Sequence, residues 1–222
     1  MKRPQQQVWI ARGLVFAALC LPLTIVCEVA AVDGRMGDGA DVMRVEEDWE
    51  VILNEPGSNV DAPQFHSVLS AYPNLDSYYL QISWNYRDQY DFAPGGMQLS
   101  AWWDEFPSGK KSYRDDKLST TAETITWTQS MCTNGSVLTF GVDRAESTTW
   151  GTFGGSDLEL SGCVAVPNLN DYATGTSVMN SWITYGANRV DLLRITEVRR
   201  YDHDGNLLSR DTTPKIVYQL SQ

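Results

Sequence analysis

Long apolar runs are scarce in this sequence. After Cys27 no stretch is long and uncharged enough to cross a bilayer, which takes about 20 apolar residues in a helix. Helical periodicity is missing as well. From Val45 onward no extended window repeats apolar residues at the three- and four-residue spacing of an amphipathic helix, so a helical bundle is excluded. Histidine is limited to His66 and His203, far apart in the chain. No Gly-x-Ser-x-Gly elbow accompanies them, and a zinc site would want three or four His, Cys or acidic ligands. Basic charge is in short supply too. Seventeen Lys and Arg stand against 28 Asp and Glu, a net charge of −11. That balance argues against nucleic acid, whose phosphates need cationic partners, and against docking on anionic lipid.

What is present begins with an export pattern. Lys2, Arg3 and Arg12 precede an uncharged run from Gly13 to Cys27, and Val29-Ala30-Ala31 supplies small residues at a cleavage site. Basic, apolar and small-residue regions in that order predict a secretory signal peptide over 1–31, cut after Ala31. The run is short for an uncleaved anchor and Pro22 interrupts it. A lipoprotein site needs a small residue before cysteine, whereas Leu19 precedes Cys20 and Val26 precedes Cys27. Cleavage would remove Lys2, Arg3, Arg12 and Glu28, taking the charge to −13. The expected destination is periplasmic, cell-surface or extracellular, with no integral membrane segment left. Cys20 and Cys27 leave with the signal peptide. Cys132 and Cys163 remain, and an oxidising compartment predicts a disulfide between them.

Residues 32–44 are Gly- and Asp-rich and read as a flexible lead, with a single domain over 45–222. There Trp, Tyr, Thr and Val recur in short runs cut by Gly, Pro, Asn and Asp, the signature of strands and tight turns. Asn134-Gly135 predicts a two-residue type I′ hairpin, pairing Met131 with Leu138, Gln129 with Phe140 and Trp127 with Val142. Asn134-Gly135-Ser136 also matches a glycosylation sequon, expected here to serve only as the turn. Further strands are expected over 78–87, 97–104, 158–166 and 189–201, the last with a bulge between Leu192 and Leu193. A turn at Asp204-Gly205 and a closing strand over 216–220 follow. Many short strands without helices predict an all-β fold, a two-sheet antiparallel β-sandwich of jelly-roll type.

Six segments carry a family resemblance: Glu46-Glu47-Asp48-Trp49-Glu50, Ala62-Pro63-Gln64, Gly95-Gly96-Met97-Gln98-Leu99, Trp127-Thr128-Gln129, Trp150-Gly151-Thr152-Phe153-Gly154-Gly155 and Gly186-Ala187-Asn188-Arg189-Val190. Together they resemble uncharacterised secreted bacterial proteins, which in turn look like concanavalin-type lectin and glucanase sandwiches. The resemblance spans most of residues 45–202 and implies the fold while leaving the activity open.

Jelly-roll glycosidases cut with paired carboxylates, and the related glucanases carry Glu-x-Asp-x-x-Glu or a near variant on one strand. This chain lacks that string. Glu46, Asp48 and Glu50 share one strand face, expected to be solvated and near the domain's edge. Asp104, Glu105 and Glu123 lie near tryptophans and are the next carboxylates to consider. Asp202, Asp204 and Asn206 resemble the start of a calcium loop, but the bidentate Glu is missing at its offset, and a plain Asp-Gly turn accounts for the same residues. No cofactor is implied. Tryptophan is the strongest compositional oddity. Trp84, Trp103 and Trp127 share parity with Leu, Ile and Met and read as core. Trp102 points the other way, on the side of Gln98 and Ser100, and with Gln81, Asn85 and Arg87 is expected to line an exposed sheet face where sugar could stack. The leading expectation is therefore an exported, non-enzymatic sandwich that binds a polysaccharide or another cell-surface component. A glycan-cleaving hydrolase or lyase, and a structural or adhesive surface protein without a ligand pocket, are the alternatives.

Overall fold

The computed structural model describes residues 40–53, 63–73, 78–85, 97–103, 106–113, 123–177 and 190–219. The expected signal peptide, Arg87, Asp104 and Glu105 lie outside these residues. Thirteen strands are present among the described residues: β1 Arg44–Leu53, β2 Pro63–Ser70, β3 Tyr79–Asn85, β4 Met97–Trp103, β5 Phe106–Tyr113, β6 Glu123–Thr133, β7 Leu138–Ser147, β8 Gly151–Phe153, β9 Glu159–Gly162, β10 Ala173–Ser177, β11 Val190–Tyr201, β12 Leu207–Asp211 and β13 Lys215–Gln219. A single 3-10 turn, Ser156–Leu158, is the only helical element among the described residues. No helix there is long and apolar enough to cross a membrane.

The strands form two antiparallel sheets, as expected of a β-sandwich. The larger has eight strands in the order β12-β11-β1-β6-β7-β8, with β13 also pairing β11 and β9 also pairing β7. The smaller has five, in the order β10-β2-β3-β4-β5. Alternation explains the layering. Val45, Trp49 and Val51 of β1 and Ile125, Trp127 and Met131 of β6 face inward, opposite Leu80, Ile82 and Trp84 of β3 and Met97, Leu99 and Ala101 of β4, and all are buried. Aromatic rings join the sheets. Trp49 stacks on Trp127 at 5.7 Å, Trp127 meets Trp84 at 4.9 Å, and Phe65 of β2 touches both Trp84 and Trp127. Trp103 reaches across to Phe140 of β7 at 5.4 Å. It lies so close over Gly162 that a Cβ added there would come within 2.5 Å of the indole.

Several sequence expectations are corrected. The lead is shorter than residues 32–44, because Arg44 opens β1 and Met43 and Val42 bond to Tyr201 and Asn170. The hairpin forms, but two residues out of the expected register: Met131 pairs Phe140 and Gln129 pairs Val142. Asn134 does not take the positive φ that a type I′ turn requires. Instead its Oδ1 accepts from the backbone N–H groups of Ser136 and Val137, which stretches the loop to residues 134–137. A shift of two keeps every side chain on its expected face. In β11 the bulges against β1 lie at Thr196 and Asp191, on either side of the expected position. The strand expected over 158–166 stops at Gly162, although Val166 is buried and its carbonyl accepts from Thr133 Oγ1.

The Cys132–Cys163 bridge is not made. Cys132 carries a free, exposed thiol. It sits on β6 opposite Thr139 of β7, which is opposite Ser161 of β9. Strand β7 therefore separates Cys132 from the β9 side, a gap of about 9–10 Å at two strand spacings, beyond the roughly 7 Å that a disulfide can bridge between Cα atoms.

Candidate functional site

The two outer faces of the sandwich differ in chemistry. That of the large sheet is ionic. Glu46 and Asp48 project from β1, which lies at the middle of the sheet and not near its edge, between β11 and β6. Arg199, directly across from Glu46 on β11, donates to Glu46 Oε2 at 2.9 Å and to both oxygens of Asp48 at 2.7 and 2.8 Å. It also pairs with Glu197, which in turn accepts from Arg210. Arg44 pairs with Glu46, and Arg194 with Glu50.

Arg144 enters this network from a bulge in β7, where two residues oppose Trp127. Its φ of 48° is rare for a side-chain-bearing residue. The bulge turns the guanidinium toward β1, where it donates to Thr128 Oγ1 at 3.1 Å and to Glu46 and Asp48 at 3.3 Å. A groove of about 290 Å³ runs past Asp48, Glu50, Thr126, Thr128, Arg144 and Thr196. Burial pushes the Asp48 carboxyl up, but hydrogen bonds from Arg199 and Thr128 and the charges of Arg199 and Arg144 outweigh it and hold the group below its ordinary value.

The described side chains on the outer face of the small sheet are neutral; Lys110 of β5, paired with Ser100, is not among them. Register builds the face in rows. Ser70, Tyr79 and Trp102 are neighbours across β2, β3 and β4. Val68, Gln81 and Ser100 form the next row, and His66, Ser83 and Gln98 the third. Tyr79 and Trp102 stack, with ring centroids 5.5 Å apart and planes 11° from parallel. Beside them Gln81 Nε2 donates to Ser83 Oγ at 3.2 Å. Ser83, Gln98 and Ser100 form a buried floor, while Tyr79, Gln81 and Trp102 form a half-buried rim. Burial drops the His66 imidazole to about 4, so it is neutral near pH 7. None of the described side chains on this face carries a charge at that pH. The indole Nε1 of Trp102 is buried and has no hydrogen-bond partner among the described residues.

Of the residues singled out in the sequence, Trp102, Gln98 and Gln81 thus share one face. Asn85 ends β3 opposite Pro63, and its side chain lies outside the described residues. Gln98 is buried, which corrects the expectation of an openly exposed row. Tyr79, the stacking partner, shares strand parity with Gln81 and is legible on that ground. His66 sits on β2 inside the sheet. Only the pairing of β2 with β3 places it beside Ser83.

The remaining candidates serve structure. Glu123 is buried and accepts from Ser147 Oγ and the Thr149 backbone, fixing the turn into β8. Asp202 spends its carboxylate on the turn, accepting from the backbone of Asp204 and Asn206 and from the Asn206 amide. No group of three or more His, Cys, Asp or Glu among the described residues is placed to hold a metal. Glu47 lies on the inner face of β1. Trp49 Nε1 and Gln129 Nε2 donate to it, and Thr174 of β10 bonds its other oxygen. Burial raises its pKa against those hydrogen bonds.

No protein-family profile matches this chain, and no curated protein matches it.

Proposed function

We propose that the chain is an exported, non-enzymatic β-sandwich protein that binds a glycan or another cell-surface polymer on the outer face of its small sheet. One observation carries this reading: the stacked Tyr79–Trp102 pair at the rim of a polar, uncharged floor. Flat aromatic faces bind the apolar face of a sugar ring, and Ser and Gln side chains both donate and accept, as sugar hydroxyls do. The signal-peptide pattern of residues 1–31 supports export to the periplasm, cell surface or exterior. The resemblance to concanavalin-type sandwiches, which include lectins, agrees with it.

The described carboxylates support binding without cleavage. Glycoside hydrolysis needs one carboxyl held as an acid and a second held ionised across a groove. Asp48, in the open groove of the large sheet, is held low beside Arg199. Glu47, whose pKa is raised, is turned into the core. Between these two carboxyls the conditions are met on opposite sides of one strand, where a single sugar cannot touch both.

A glycan array on the purified protein, repeated with Trp102→Ala, tests the reading. Binding by the wild type and its loss in a variant that still melts cooperatively are expected. Undiminished binding in a folded Trp102→Ala protein would place the ligand elsewhere, and release of reducing sugar by the wild type would replace binding with hydrolysis.

A further inference from the structure

We propose that Asn134 carries an N-linked oligosaccharide, attached through its side-chain nitrogen as the chain is exported. This modification rests on the export reading above and lies at the tip of the β6–β7 hairpin.

Asn134-Gly135-Ser136 is the one Asn-x-Ser/Thr triplet in the chain. Such a triplet becomes an acceptor in an exported chain, at a surface loop. Sequence alone assigns it to the turn. In the structure the turn uses only half of the carboxamide. Asn134 Oδ1 accepts from the backbone N–H groups of Ser136 at 3.1 Å and Val137 at 2.8 Å, and from Ser136 Oγ at 3.1 Å. Of the two amide atoms only the oxygen accepts from backbone N–H, which fixes the orientation of the group. Nδ2 takes no part in these bonds and makes none with the described residues, and Asn134 is exposed.

A glycan replaces one of the two Nδ2 hydrogens and leaves the carbonyl oxygen untouched. The three bonds that hold the loop therefore survive the modification. Space is open at the same tip, where a Cβ added to Gly135 would meet nothing within 4 Å. The stem of the hairpin is anchored separately. The Thr133 N–H donates to the Met43 carbonyl, and Thr133 Oγ1 donates to the Val166 carbonyl and accepts from the Gly135 N–H.

In the transfer a C–N bond forms between Nδ2 and the anomeric carbon of an oligosaccharide linked to a lipid diphosphate. The anomeric C–O bond to that diphosphate breaks and the diphosphate leaves with the bonding pair. One Nδ2 proton passes to a base of the transferase. Ser136 supplies the hydroxyl of the acceptor triplet, and its Oγ already lies beside the amide.

The full chain made through the secretory pathway of yeast tests the assignment. Electrophoresis should show a mobility shift that peptide-N-glycosidase removes, and mass spectrometry of the intact glycopeptide should place the sugar on Asn134. Asn134→Asp keeps an acceptor oxygen for both backbone N–H groups and removes the nitrogen. Ser136→Ala removes only the hydroxyl. Both variants should be secreted, melt cooperatively and lose the shift, whereas Ser136→Thr should keep it. Secreted wild type that begins at Val32 and carries a bare Asn134 would overturn the acceptor assignment and leave export standing. A shift that persists in Asn134→Asp would put the sugar elsewhere and overturn it as well. Retention in the cell with Met1 intact would overturn the export reading, and the modification with it. If Asn134→Asp fails to fold, Ser136→Ala decides: loss of the shift supports the site, and an unchanged shift overturns it.

Discussion

Glu46 and Glu47 are consecutive, and a strand sends them to opposite faces. Glu46 meets Arg44, Arg144 and Arg199 in the ionic network. Glu47 enters the interior and ties β1 to Gln129 of β6 and Thr174 of β10, so that one carboxyl links the two sheets. Burial dominates its protonation and raises its pKa. The neighbouring Tyr172 is pushed up to about 12, by burial and then by the charge of Glu47. For a carboxyl whose folded pKa is raised, the folded state binds a proton that the unfolded chain has released. Its stabilising contribution is therefore full below the ordinary value of 4.5 and is lost as pH rises through the raised folded value. Asp48, whose pKa is lowered, slopes the other way at more acid pH. Comparing the wild type with Glu47→Gln isolates the first effect. Urea midpoints from pH 4 to 8 should show stability falling with pH in the wild type relative to the variant. Parallel curves would mean that Glu47 titrates alike in the folded and unfolded chain.

Strands with clean alternation are legible in the sequence. In β3 and β4 apolar side chains fall on every second position, in β6 and β7 they do so apart from Gln129 and the bulge at Arg144, and the buried faces are the expected ones. Strands β2, β5 and β10 carry no such signal. In β2 the inner position between Phe65 and Leu69 is the buried Ser67, so a polar side chain occupies a place where the pattern needs an apolar one. In β5 the sequence FPSGKKSY shows no apolar period at all. The candidate face is legible to the same degree. Strand parity alone sets Trp102 with Gln98 and Tyr79 with Gln81. Cross-strand register is needed to stack Tyr79 on Trp102 and to bring in His66, and register depends on pairing that no local pattern encodes. The expected disulfide fails for that reason: Cys132 and Cys163 both face away from the core, but β7 between them is a fact of strand order. The consequence is chemical. Brief maleimide treatment of the native protein, followed by peptide mapping, should find the adduct on Cys132. Protection of Cys132 that only reduction removes would restore the bridge.

At the scale of the whole molecule, an aromatic interior holds together a sandwich whose two outer faces are unlike. Trp49 and Trp127 from the large sheet interlock with Phe65 and Trp84 from the small one, and Trp150 and Phe153 close over Trp84. Such pairs add about 0.5–1.5 kcal/mol each beyond the area they bury. Trp84 and Trp102 sit on adjacent strands of the small sheet and point to opposite faces, which makes them a matched pair for separating fold from function. Trp84 is fully buried and touches rings of both sheets. Its truncation to Ala should cost about 3–5 kcal/mol, as large aromatic deletions in a core do. Trp102 is half-buried and, among the described residues, stacks on Tyr79. Its truncation gives up only part of that area and should cost roughly 1–2 kcal/mol at about 25 cal/mol per Å². Chemical denaturation of both variants measures the difference directly. A separation of about 2 kcal/mol or more would leave Trp102→Ala folded and fit to report on ligand alone. Equal losses would make the Trp102 face a second packed layer, and the aromatic rim would then be part of the fold and not a surface for sugar.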